Sequence, residues 1–518
     1  MKIASIKLKN FRGYSNEVEF NLNDITAIIG KNDTGKSTIL EALDIFFNDG
    51  KGLIKLDKND INKSEYKKNN NEISITVCFK DLPKNITIDS SFVTKLEDEY
   101  LLNSNGQLEI IKKYSNASSN KTYIKAKHPQ NPKCNNLFYK KNQDLKKIIT
   151  DEDIKCNNLA INSSLRKAIW NYYKNELDLK ECEIDLSKEE TKKIWESLQK
   201  FLPVFSLFQS DRKNSDADSE VQDPLKEAIK QIFKDENIQN KLSEISKLVK
   251  TKISEVAERT LQKIKEMDLE LANSLNPNIP ESKDLKWQDV FKNVSITGDE
   301  DIPINKRGSG VRRLILLNFF RAEAERRREN RENTNIIYAI EEPETSQHTS
   351  NQIKLIDSLK ELSKSTKTQI LLTTHSPNIV KQIGIKNLRL VSENNGVKVV
   401  NTVKPIVLNS LNEVNYLAFG EISEEYHNEL YGYIESDNLL NKFEEHKTLR
   451  EYKKLKNNSI KFEKVTLSKY IRHQIHHPEN KLNTRFTKCE LKNSIEMMIN
   501  FLKENSDKSN ISKNQKDS

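Results

Sequence analysis

The sequence predicts an α/β protein with helical insertions and an all-helical C-terminal domain. Three observations carry this. An apolar strand runs into a glycine loop and an amphipathic helix at ITAIIGKNDTGKSTILEALDIFF, residues 25–47. Strand-like and helix-like stretches alternate over residues 285–405. Glycine is scarce, at 13 residues of 518, and absent between Gly106 and Gly298, so the middle of the chain lacks the residue that most weakens helices other than proline.

The elements follow in order. Val18, Phe20 and Leu22 alternate with polar residues, as do Ile73, Ile75, Val77 and Phe79, which is the period of strands. Asn105-Gly106, between YLL and LEII, signals a hairpin, and KKNNNE (67–72) a solvated loop. Residues 1–145 form the first α/β segment, and 146–200 read as a helical insertion. A short strand segment, 201–225, precedes a helical arm, 226–284. There Leu242, Ile245, Val249, Ile253, Val256, Ile264, Met267 and Leu271 recur at helical spacing, which fits either a coiled arm or a core helix. The second α/β segment, 285–405, closes with a hairpin from Leu388 to Val400. Residues 406–503 read as all-helical, and the polar, lysine-rich tail 504–518 as disordered.

Composition sets outer bounds. Hydrophobic residues make up 35% and charged residues 31% of the chain, and 85 basic against 76 acidic residues give +9. Such an excess permits nucleic-acid contact without showing it. Five scattered cysteines, none in C-x-x-C spacing, argue against a disulfide framework or zinc ribbon and fit a reducing cytoplasm. The opening MKIASIKLKNFRGY has no apolar signal core and no apolar run reaches 18 residues, so neither a signal peptide nor a membrane span is expected.

Four motifs carry chemistry. Gly30-Lys31-Asn32-Asp33-Thr34-Gly35-Lys36-Ser37, with Thr38 following, matches G-x-x-x-x-G-K-[ST] between a strand and a helix. Its glycines let backbone amides wrap a phosphate chain at a helix N-terminus. Lys36 is expected on the β- and γ-phosphates of ATP and Ser37 on Mg²⁺. NIIYAIEEPE delivers two carboxylates at a strand end, with Glu341 expected on the metal side and Glu342 on the attacking water. TQILLTTHSP places His375 after another buried strand, where ligand-facing residues sit in open α/β sheets, as a γ-phosphate sensor. Finally, Arg307-Gly308-Ser309-Gly310, flanked by Arg312 and Arg313, opens a helix and makes a second phosphate cradle. One nucleotide does not need two cradles from one chain, whereas two chains placed head to tail do.

As an ordered set these motifs resemble the ABC-type ATPase heads of the RecF, SMC and OLD group. The resemblance covers roughly residues 1–145, 201–225 and 285–405, and implies a two-lobed P-loop ATPase head that closes as a dimer around ATP and Mg²⁺ and hydrolyses slowly. IKLKNFRGY looks like the family's first strand, putting Arg12 near the nucleotide. EEPETSQHTSNQ resembles its extended Walker B and D-loop. VFSLFQSD is similar to the strand ending in the Q-loop glutamine, here Gln209. The RGSG segment takes the place of the trans signature. Such heads occur in prokaryotic antiviral defence and in nucleic-acid surveillance and repair.

Two further stretches were weighed. SDADSEVQDPLKE partly mimics a calcium loop, but Val221 stands where the sharp turn needs glycine. In YIRHQIHHPEN (470–480), Leu467, Ile471 and Ile475 give a helix its core face, and Pro478 should end it. His473 and His477 are spaced for zinc, without further ligands nearby. The stretch also resembles the R-[polar]-x-x-x-H signature of HEPN ribonucleases, which would make Arg472 and His477 a pair for RNA cleavage. Alternatively it is a polar helix end at a subunit interface. Three functions stay open: an ATPase switch with a built-in ribonuclease, an ATPase sensor controlling a separately encoded nuclease or toxin, and a DNA-repair scaffold.

Overall fold

The computed structural model describes residues 1–49, 52–89, 92–209, 236–267, 318, 325, 335–345, 347–364, 367–394, 396–404, 407–408, 410–456 and 459–514. They fall into two units, one of 1–208 with 327–518 and one of 209–326.

The first unit contains two six-stranded sheets. One is antiparallel, in the order β2-β1-β4-β7-β8-β9, built from Lys2–Lys9 (β1), Val18–Asn21 (β2), Glu72–Lys80 (β4), Leu108–Ser115 (β7), Ser119–Pro129 (β8) and Leu179–Asp185 (β9). Ile86–Asp89 (β5) and Phe92–Thr94 (β6) make a separate ribbon. The other sheet has the order β10-β11-β12-β3-β13-β14, built from Ile25–Ile29 (β3), Val204–Phe208 (β10), Ile336–Glu341 (β11), Thr368–Thr374 (β12), Leu388–Asn394 (β13) and Val397–Thr402 (β14). It is parallel except for the β13–β14 hairpin. The central strands β3 and β12 are buried at every position, as expected where a parallel sheet is covered on both faces.

The sheets interleave in sequence, since β3, from the first α/β segment, sits between β12 and β13. The helix Lys36–Asn48 touches β10, β11 and β12 of one sheet and β4 of the other. Its Leu40, Leu43 and Phe46 join Ile3, Ile75, Ile110, Ile337 and Leu371 in one continuous core. Each such side chain, fully buried, contributes about 1.5–3 kcal/mol. Gln369, a polar residue inside β12, is fully buried because its amide serves backbone groups. It accepts from Ile3 N (2.8 Å) and donates to Ile3 O (2.9 Å) and Asn23 O (3.0 Å), which ties the parallel sheet to β1.

The C-terminal residues have their own core, in which Tyr426, Leu430, Ile434, Phe443, Ile471, Ile495 and Met498 pack together. Glu490 N donates to Thr487 Oγ1 (3.2 Å) and Thr487 N to Glu490 Oε2 (2.8 Å), the reciprocal cap expected at the start of the helix Lys488–Asn514. In the second unit, Glu236–Met267 is one 32-residue helix, and Ile245, Val249, Ile253 and Val256 on its apolar stripe are exposed.

Several expectations are corrected. Residues 406–503 are not all-helical, because Leu449–Lys456 (β15) and Ser459–Thr466 (β16) pair as an antiparallel hairpin. Register puts Tyr452 and Val465 on one face and Leu449, Leu455, Ile460 and Phe462 on the other, so neither face is uniformly apolar, and the intervening lysines suit a helix as well. The 146–200 stretch contains β9, which extends the antiparallel sheet. The tail is helical as far as Asn514. Asn105-Gly106 forms a turn, with Gly106 at φ 69° and its N–H on Asn103 O (3.0 Å), but the strand hairpin of this region is β7–β8, turning at Asn116 and Ala117. No helix among the described residues is long and apolar enough to cross a membrane.

Candidate functional site: a phosphate loop facing three glutamates and a histidine

Strand register assembles the site. Glu341 of β11 pairs with Thr373 of β12, and Thr373 pairs with Ile28 of β3. Gly30 follows β3, Glu342 follows β11 and His375 follows β12 by one residue. Parallel strands in this register therefore discharge all three at the same carboxyl edge, where open α/β sheets bind ligands. Gln209 is the residue directly after β10, which pairs with β11 in the same direction.

The phosphate loop depends on its glycines. Gly35 is left-handed at φ 99°, just ahead of the helix. Gly30 sits at φ 149°, and a Cβ there would come within 2.5 Å of Val391 O. Lys36 is nearly fully buried, its Nζ donating to Gly30 O (3.0 Å) and Lys31 O (2.9 Å). Burial pushes its ammonium below the usual lysine range, while Glu342, Glu344, Asp33 and Glu341 act in the opposite sense. Thr34 Oγ1 donates to Lys31 O (2.8 Å) and closes the loop. Lys31, Asn32 and Asp33 are exposed at its tip, and Ser37 and Thr38 are half-buried on the first helical turn.

The opposite wall is acidic. Glu342 has a positive φ of 40°, rare for a side chain this size, and is held there by its N–H on Thr373 O (3.0 Å). His375 Nδ1 lies 3.3 Å from Glu342 Oε1 and 3.4 Å from Glu344 Oε1. Glu344, a carboxylate to which the sequence reading gave no role, is 5% exposed. Its Oε1 accepts from Thr374 Oγ1 (2.7 Å) and from His375 N (2.9 Å), and its Oε2 has no hydrogen-bond partner. It was legible only as a third acid in EEPE. Two loop braces had no sequence signal, because their partners are far away in the chain. Tyr14 OH donates to Gly35 O (3.0 Å), and Lys398 Nζ donates to Asp33 O (3.0 Å).

Arg12, expected near the nucleotide, has two carboxylate partners. Its Nε donates to Asp60 Oδ1 (2.7 Å) and its NH1 to Glu41 on the phosphate-loop helix. It ties that helix to the loop before Ile61. Arg307, Gly308, Ser309 and Gly310 lie outside the described residues. Ser37 and Glu341 offer a hydroxyl and a carboxylate, the hard oxygen donors that suit Mg²⁺, beside a lysine already turned towards the loop carbonyls.

Arg472 and His477 are not brought together. Arg472 NH2 donates to Glu435 Oε2 (2.8 Å) with its guanidinium 4.5 Å from the Tyr431 ring centroid, whereas His477 Nδ1 pairs with Glu479 Oε1 (3.1 Å). Arg472 lies within the helix, whereas His477 is its non-helical C-cap at φ −125° and ψ 63°, beyond the last helical residue. The helix Leu467–His476 stops two residues before Pro478, as expected. His473 stacks on Tyr452 (4.9 Å), and among the described residues no three His, Cys, Asp or Glu side chains gather as metal ligands.

Comparison with known proteins gives the family of this domain. The AAA ATPase domain model, AAA_15, matches residues 1–380. Two curated relatives are Endonuclease GajA of Bacillus cereus strain VD045, 26% identical over 418 residues (77% of this chain, 59% of the relative), and Endonuclease GajA of strain HuB5-5, 26% identical over 411 residues (73% and 56%). The chain thus spans less than two thirds of the length of these relatives. Among solved structures, the SMC head domain from Thermotoga maritima is 13% identical, covering 78% of this chain and 100% of that one at a TM-score of 0.32. The Smc head with an extended coiled coil bound to the C-terminal domain of ScpA, from Pyrococcus furiosus, is also 13% identical, covering 78% and 96% at 0.34. With the family matched over well more than half of its length and the phosphate loop built as such a domain requires, the chain belongs to the AAA ATPase domain family.

Proposed function

We propose that the protein is an ATP-binding and ATP-hydrolysing switch of antiphage defence or nucleic-acid surveillance, which closes as a dimer around ATP and governs cleavage of nucleic acid. The observation that carries this reading is the convergence of the Lys36 loop, Glu341, Glu342 and His375 on one sheet edge, with His375 Nδ1 3.3 Å from Glu342 Oε1. Lys36 leaves the loop carbonyls for the phosphates. Ser37 and Glu341 would hold Mg²⁺, which when bound would neutralise phosphate charge. Glu342 orients and deprotonates the attacking water, His375 reads the γ-phosphate, and Gln209, the residue after β10, is assigned to the metal and water shell by the family resemblance. Arg307, Gly308, Ser309 and Gly310 of a second copy close over the nucleotide as the trans cradle.

The link to nucleic-acid cleavage draws on the two curated relatives, whose name is that of an endonuclease, and the defence role on the family resemblance. In our reading the cleaving step belongs to a separately encoded nuclease or toxin, with a DNA-repair scaffold as the competing role. A ribonuclease built from Arg472 and His477 requires a second chain to unite the two side chains, since within one chain they face Glu435 and Glu479. Expression in cells with and without phage challenge, with total DNA and RNA examined for cleavage, tests the reading. Challenge-dependent loss of nucleic acid that disappears in Lys36→Ala supports it. Full phage resistance in that variant defeats it.

A further inference from the structure

We propose that the β15–β16 hairpin is a docking surface for double-stranded nucleic acid. The inference rests on the surveillance reading above and gives it a place on the molecule.

Among the described residues the hairpin belongs to no larger sheet. Its inner face is anchored. Tyr452 and Val465 are buried with Tyr470, and the Arg450 guanidinium lies 3.9 Å from the Tyr470 ring centroid. Asn480 Nδ2 donates to Tyr452 OH (3.0 Å) and Lys453 O (2.9 Å), while Asn483 donates to Lys453 O (2.7 Å) and accepts from Lys453 N (2.7 Å). With His473 stacked on Tyr452, much of the histidine-rich stretch 470–480 is the platform that holds this hairpin rigid.

The outer face has no such cover. Leu449 is 52% exposed, Leu455 66%, Ile460 48% and Phe462 63%. Register pairs Leu455 with Ile460 near the far end, then Lys453 with Phe462, then Glu451 with Lys464. Large apolar side chains in cross-strand register form a patch rather than scattered exposure. Lys453 Nζ lies 5.7 Å from the Phe462 ring centroid.

Charge selects the occupant. Residues 449–466 carry six basic residues and two acidic ones, Glu451 and Glu463, while the whole chain has a net charge of only +9. Glu463 is already paired with both Lys454 and Lys469. The outer face itself carries Lys453 and Lys464 beside Glu451, and the ribbon as a whole has four more basic than acidic residues, an excess that repels a second copy and is complementary to a polyanion. A two-stranded ribbon fits a duplex groove, lysines meet phosphates, and an apolar pair at the tip can wedge against a base step.

The test uses the full chain with ATP and a fluorescein-labelled 30-bp DNA duplex, read by anisotropy from 50 to 200 mM NaCl. Wild type should bind with a steep salt dependence. Lys453→Glu with Lys464→Glu, the two outer-face lysines, should bind at least tenfold more weakly at 100 mM and flatten the log–log salt slope by about two, one per lost phosphate contact. Leu455→Ser with Ile460→Ser should weaken binding without changing the slope. ATP turnover and the far-ultraviolet circular dichroism spectrum should match wild type in both, which separates this surface from the nucleotide site and from misfolding. Unchanged affinity in both variants, or no binding by wild type at 50 mM, overturns the proposal. So does an oligomer that falls apart in the Leu455/Ile460 variant while duplex affinity is kept, because the face would then belong to a protein contact.

Discussion

Glu344→Ala should cripple hydrolysis although Glu344 is not placed to touch the water itself. Its Oε1 accepts one hydrogen bond from Thr374 Oγ1, which is buried, and one from His375 N, which is part-buried, both shorter than 3 Å. Hydrogen bonds to a charged acceptor contribute about 1.5–3 kcal/mol each, so truncation removes about 3–6 kcal/mol from the turn that carries His375. If only about 2 kcal/mol of that appears in the transition state, kcat falls about 30-fold. Glu344→Gln keeps an oxygen for both donors and should lose less than about fivefold. The assay is steady-state phosphate release with KM and kcat separated, since a misplaced γ-phosphate sensor lowers kcat more than it weakens ATP binding. An Ala variant that is folded and turns over at the wild-type rate would refute the reasoning, because the turn would then not need its carboxylate.

Other expectations follow from the same geometry. Lys36→Ala should weaken ATP binding at least about 100-fold, since the phosphates lose charge-assisted hydrogen bonds worth about 3 kcal/mol or more, and calorimetric titration checks this. Gly30→Ala should weaken nucleotide binding as well, because its Cβ would clash with Val391 O, and wild-type affinity in that variant would mean that the loop tolerates the shift. Ser309→Arg chains mixed with Lys36→Ala chains should regain up to one working site per heterodimer, and no recovery after confirmed mixing argues against trans closure. His427, buried and bonded to Ser494 Oγ (2.9 Å), has its pKa lowered to about 4, by burial first and by Arg472 next. The unfolded chain therefore binds more protons between about 4 and 6.5, and stability falls as pH drops through that window, by about 3 kcal/mol at most for this group. The pH dependence of the melting temperature should weaken in His427→Asn, and an unaltered profile would assign the acid sensitivity elsewhere.

What was legible in the sequence was the chemistry written in contiguous residues. The glycine loop, the Glu341–Glu342 pair and His375 each announce a strand end, and strand ends in a parallel sheet share an edge. Contacts made across the fold were not legible. Lys398 reaches Asp33 over 365 residues, and Gln369 fastens to Ile3 over 366. The hairpin at 449–466 was misjudged because its inner face has only Tyr452 and Val465 as apolar positions while its outer face carries Leu449, Leu455, Ile460 and Phe462, so no polar–apolar alternation marks a strand, and its lysines suit a solvated helix equally well. Arg12 illustrates the limit of motif transfer, since the motif placed it near the loop but could not show that Asp60 and Glu41 take its donors.

The central claim is that Glu342 drives hydrolysis in a site that closes on ATP, and Glu342→Gln tests it most directly. The amide preserves shape but cannot take the water's proton. With Mg-ATP the variant should bind nucleotide at wild-type affinity, release no phosphate in a single turnover, and shift to a stable dimer by light scattering, a state that wild type leaves as it hydrolyses. Phosphate release near the wild-type rate, or a variant that stays monomeric with ATP bound, would contradict the account.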